Sequence, residues 1–72
     1  MDEFREREHL AQADRHVAEA KAHIARQKDV IADLKRGGHD TEPSVSMLAA
    51  VEHSLRAFKQ HREVILNRLK RG

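Results

Sequence analysis

Cysteine is absent from the 72-residue chain, and with it go disulfide frameworks, thiolate zinc sites and cysteine nucleophiles. Tryptophan and tyrosine are also missing, and phenylalanine occurs only twice; nucleic-acid binders that interleave aromatics with basic residues are therefore disfavoured. The longest apolar run, MLAAV, has five residues, far short of the roughly 20 that a membrane-spanning helix needs. Its start, MDEFREREH, is charged from the second residue, so no signal peptide is expected. There is no HExxH, no glycine-rich phosphate loop and no serine in a nucleophile elbow. Ser44, Ser46 and Ser54 are read as helix-start and surface residues. No enzyme and no cofactor are expected, and the default location is the cytoplasm.

What the chain does have is charge of both signs. Charged residues make up 36%, with 14 Lys and Arg against 12 Asp and Glu, a formal net charge of +2. That mixture suits charge-laced helices better than a disordered polyelectrolyte, and the small excess argues only weakly for nucleic acid. Length allows one small domain, residues 1–72, of a size at which a single core is marginal and oligomerisation a common remedy.

From Glu3 to Arg36 the sequence holds good helix formers without Gly or Pro, with Asp2 placed to cap and Glu3 and Glu6 in the favourable first turn. The segment LKRGGHDTEP then supplies a stop and a start. Lys35 and Arg36 suit a helix C-terminus, Gly37 suits a left-handed position, Asp40 or Thr41 can cap the next helix, and Pro43 falls in a first turn, where its missing N–H costs nothing. The expectation is helix 1 over about 3–36, a turn at 37–41 and helix 2 over about 42–70.

Both helices carry a heptad. Leu10, Val17, Ile24 and Ile31 take position a of the first, with Ala13, Ala20, Gln27 and Leu34 at d; Leu48, Val51, Leu55, Phe58, Arg62, Ile65 and Leu69 form the seam of the second. So short a connection folds the helices back on each other, giving an all-α, antiparallel, coiled-coil-like two-helix hairpin. Matching the seams pairs Leu34 with Leu48, Ile31 with Val51, Ile24 with Phe58 and Val17 with Ile65. Lys28 then meets Glu52, and the acidic N-terminus (Asp2, Glu3, Glu6, Glu8) lies near the basic C-terminal end (Arg68, Lys70, Arg71). A lone pair of helices leaves each seam half open, so a homodimeric four-helix bundle is expected. Two further ridges bear on this: Ala11, Ala18, Ala25 and Ala32 on helix 1, and Ala50, Ala57 and Val64 on helix 2. They would let another helix approach closely, though alanine is also the best surface helix former. Phe4, outside the overlap, could dock on a partner or fray.

The histidines at 9, 16 and 23 recur every seven residues, which brings each within about 20° of the last, so they form one stripe at position g beside the seam. Successive members are about 10.5 Å apart, too far for two of them to grip one ion. The sharper metal candidate is Glu19 and His23, at i and i+4, joined by His61 from the facing helix; no metal site is favoured over flank residues that shield the alanines. Six histidines also give capacity for a pH response. One Glu-x-x-His occurs, at Glu6 and His9, without the second that a di-iron bundle needs. The best candidate for a nucleic-acid patch is Arg56, Lys59, Arg62, Arg68, Lys70 and Arg71, weighed against the ordinary preference of cations for helix C-termini.

With the heptads in place, EREHLAQADRHVAEAKAHIARQ, the GHDT turn and the late HREVIL together resemble short, uncharacterised bacterial proteins predicted to be helical hairpins. The resemblance spans nearly the whole chain and implies that fold and a bacterial cytoplasmic setting; it brings no catalytic or ligand residues. The resulting expectation is a small interaction or regulatory module that acts through helix faces as a homo-oligomer, with an unknown protein partner. A nucleic-acid-binding regulator and a histidine-based transition-metal binder are the alternatives.

Overall fold

The computed structural model describes residues 2–71, so the two ends of the expected unit, Met1 and Gly72, lie outside the described residues. Two α-helices make up the fold: α1 spans Glu3–Arg36 and α2 spans Glu42–Arg71. They lie antiparallel in a rod of 54 × 14 × 13 Å, with a radius of gyration of 16.5 Å. A compact domain of this length would have a radius of about 11 Å. Among the described residues no helix is long and apolar enough to cross a membrane.

Local chemistry explains the helix ends. The Asp2 carboxylate accepts from the Phe4 and Arg5 N–H groups at 3.0 and 3.4 Å, satisfying donors that the first turn leaves free. At the other end the His39 N–H donates to the Leu34 carbonyl at 2.9 Å and the Gly38 N–H to that of Lys35 at 3.1 Å. This is a Schellman termination, and it corrects the expectation for Gly37. Gly37 stays right-handed at φ −83°, whereas Gly38 takes the left-handed turn at φ +71°. The helical ladder continues through Gly37, whose N–H still reaches the Asp33 carbonyl, so the reversal falls one residue later. Asp40 then accepts from the Glu42 N–H at 3.0 Å, and the Thr41 carbonyl receives the first helical bond of α2, from Val45.

Every apolar residue of the two expected seams is buried or half-buried. Full burial is rarer. Among the described residues only Ala13, Ala20 and Ile65 form the fully enclosed apolar core, Ile65 at 1% exposure.

The pairing along the seam differs from the expected one. Asp14 meets Arg62, Glu6 meets Arg68, and the rings of His16 and Phe58 lie 5.1 Å apart. These contacts set Val17 level with Phe58, Ile24 with Val51 and Leu34 with Thr41, roughly one heptad from the pairing read off the seams. A heptad pattern fixes which faces meet but looks the same after a slip of seven residues. The turn decides between the registers: with α1 ending at Arg36 and α2 starting at Glu42, the helix ends stand level, and the slipped alternative would leave the first turns of α2 without a partner. Lys28 and Glu52 accordingly form no ion pair among the described residues.

Candidate interaction surface

In an antiparallel pair the e positions of one helix face the e positions of the other, and likewise g faces g, so the hairpin has two distinct sides. The e side is charged. It carries Arg7, Asp14, Lys21, Lys28 and Lys35 from α1 and Val45, Glu52, Lys59 and Leu66 from α2. A shallow groove on this side is lined by Asp14, Val17, Ala18, Lys21, Lys59, Arg62 and Glu63. Within it, Asp14 accepts a hydrogen bond from the Arg62 side chain. That bond, then the Asp14 charge, raises the Arg62 pKa above the ordinary arginine range, with burial opposing it slightly and Glu63 adding a smaller push upward. This contact explains how a charged residue sits at a seam position: its head reaches sideways to a carboxylate while its stem covers the seam.

The g side has a different character. It carries His9, His16, His23 and Val30 from α1 and Met47, Ser54, His61 and Arg68 from α2, so that Arg68 alone is permanently charged. A second groove here is lined by His16, Glu19, Ala20, His23, Val51, Ser54 and Phe58. His16 and His23 are half-buried, and His16 packs on Phe58 with the rings tilted at 39°. His16 and His23 therefore form one wall of an open apolar groove.

At the open end, Glu6 occupies a d position and is only 7% exposed. Its Oε1 lies 3.6 Å from His9 Nδ1 and 3.8 Å from Arg68 Nη1, both beyond good hydrogen-bonding distance. Its Oε2 is buried without any partner. Sequence reasoning took Glu6 for a first-turn acid and missed its burial, although extending the d positions back one heptad from Ala13 reaches it.

The remaining candidates are dispersed. Glu19 and His23 share the g-side groove, but His61 is exposed and does not line it. Among the described residues no three His, Asp or Glu side chains gather closely enough to hold a metal ion. Of the six basic residues suggested for nucleic acid, Arg62 and Arg68 turn to Asp14 and Glu6. Arg56, Lys59, Lys70 and Arg71 are exposed; Arg56 and Lys70 share position b but stand about 21 Å apart along α2 with Glu63 at the b position between them, Lys59 lies at e and Arg71 at c, so they form no continuous stripe. The alanine ridges also separate. Heptad geometry puts the α1 ridge beyond the e side, where Ala18 lines the charged groove, and the α2 ridge beyond the g side. They cannot combine into one surface, because the α1 ridge runs along position b and the α2 ridge along position c, which lie on opposite flanks of an antiparallel pair.

No family model, curated protein or solved structure matches the chain. The geometry of the two sides therefore carries the functional reading. Both grooves are shallow openings between helix flanks rather than enclosed cavities, and a flat, elongated face of this kind engages another helix more readily than a small substrate.

Proposed function

We propose that this protein is a non-enzymatic interaction or regulatory module of the cytoplasm, working as a homo-oligomer through its helix faces. One observation carries the reading: the accessible surface is 5535 Å², whereas a compact monomer of 8.3 kDa exposes about 4,600 Å². The excess, roughly 900 Å², is close to the 800 Å² or so that each partner contributes to a standard-sized interface. A core with one large, fully buried side chain among the described residues agrees with it. Self-association would close the half-open seam and complete a four-helix bundle. Resemblance to short bacterial helical hairpins is compatible with such a module and adds no activity to it.

Sedimentation velocity across a wide concentration range tests the reading. A mass that rises from 8.3 kDa towards twice that value supports it, and an unchanging 8.3 kDa at hundreds of micromolar overturns it. The alternatives have less support: the basic residues are scattered or occupied, and the histidines do not converge on a point.

A further inference from the structure

We infer that the g side, with the His16–His23 groove at its centre, is the face that a second copy of this chain covers, and that acidification uncovers it. This rests on the self-association reading and adds the surface, the partner's orientation and the control.

Three observations select this side. The area argument calls for one interface of ordinary size, and of the two long sides only this one lacks a row of permanent charges; burying the e side would strip water from Arg7, Lys21, Lys28, Lys35 and Lys59 with too few acids to meet them. Val30 and Met47, both substantially exposed, continue the groove towards the turn. The α2 ridge of Ala50, Ala57 and Val64 borders the same side and gives a second helix a smooth flank to approach. The groove also lies near the middle of the 54 Å rod. A two-fold axis through it makes the contact isologous, with each copy presenting the same surface to the other and the turn of one beside the open end of its mate.

The histidines then acquire a role. Neutral imidazoles are amphipathic and tolerate a dehydrated interface; imidazolium ions do not unless each finds an acid. The charged and titratable groups within a helical turn or across the seam are Arg5, Glu6, Glu19 and Arg26 on α1, and His61 and Arg68 on α2. Two acids against three arginines and a fourth histidine leave the protonated stripe uncompensated. Since the dimer favours the neutral form, association is strongest above the ordinary histidine range and is lost as pH falls through it.

The test uses sedimentation equilibrium on the full chain, with helix content followed by circular dichroism. Met47→Glu and Val45→Glu are a matched pair, at 48% and 47% exposure but on opposite sides. Met47→Glu is expected to raise the dimer dissociation constant at least tenfold, and Val45→Glu to leave it within about threefold. Lowering pH from 7.5 to 5.0 should weaken the wild-type dimer at least tenfold. His9→Gln/His16→Gln/His23→Gln should flatten that dependence, while His53→Gln, on the outer face, should keep it. A dimer that survives Met47→Glu, or dissociates equally with Val45→Glu, overturns the face and leaves self-association standing. A dimer indifferent to pH overturns the histidine control. A wild-type monomer at every concentration overturns both the face and the oligomeric reading.

Discussion

Replacing Glu6 by leucine should make the protein more stable. The carboxylate occupies a d position at 7% exposure, one oxygen is buried without a partner, and the other lies 3.6 Å from His9 Nδ1 and 3.8 Å from Arg68 Nη1. Leaving a buried polar atom unmet costs about 1–3 kcal/mol. Leucine removes that cost and adds apolar burial, at about 25 cal/mol per Å² of the area that it takes from water beyond the methylenes already buried. Against these gains stand a first-turn carboxylate interaction of about 0.3–1 kcal/mol and an ion pair with Arg68 of about 0.2–1 kcal/mol, since His9 and Arg68 are each about half exposed and return to water readily. The balance is a gain of about 1–2 kcal/mol, which in a domain of this size raises the thermal midpoint by roughly 4–16 °C. Thermal and urea unfolding followed by helical circular dichroism, at matched low concentration, would measure it. A variant less stable than the wild type by more than about 0.5 kcal/mol, the ordinary spread of neutral substitutions, would refute the reasoning, because it would mean that Glu6 is well satisfied where it stands.

Other substitutions probe the core, the turn and the cross-helix ion pair. Ile65→Ala, at the one large side chain that is fully enclosed, should cost about 2–5 kcal/mol, whereas Val45→Ala should change stability by less than about 0.5 kcal/mol; equal effects in urea melts would contradict the burial pattern. Gly38→Ala should destabilise by about 1–2 kcal/mol through its positive φ alone, because an added Cβ meets nothing within 4 Å, and Gly38→Asn should cost less. The stability that Asp14 lends through the raised Arg62 pKa is present below the ordinary arginine range and lost only above it. Urea midpoints at pH 8 and pH 10 should therefore differ equally little in wild type and in Asp14→Asn.

How far the fold was legible in the sequence depends on the information each signal encodes. The all-α hairpin was written in helix-forming runs broken only at Gly37–Pro43, and the heptads named the inner faces because side-chain direction follows from helical periodicity alone. Register was not legible, since Leu, Ile and Val seams repeat under a heptad slip and the geometry of the turn, closed by Gly38 and His39, makes the choice. The left-handed residue was misplaced by one because two adjacent glycines are equally permissive. The Asp14–Arg62 contact depended on that register and was invisible without it. The histidine stripe was legible as a stripe, but its place beside Phe58 and an uncharged flank emerged only when α2 was laid against it.

The claim on which the rest stands is that the two helices return alongside each other with their ends level. Spin labels at Arg15 and Gln60, both on outer faces and at matching heights in this register, test it in a sample diluted with unlabelled protein. Level antiparallel helices about 8–10 Å apart place such labels roughly 20–25 Å from each other. A distance of about 65 Å, as in a continuous helix rising about 1.5 Å per residue through the double glycine, would contradict the account.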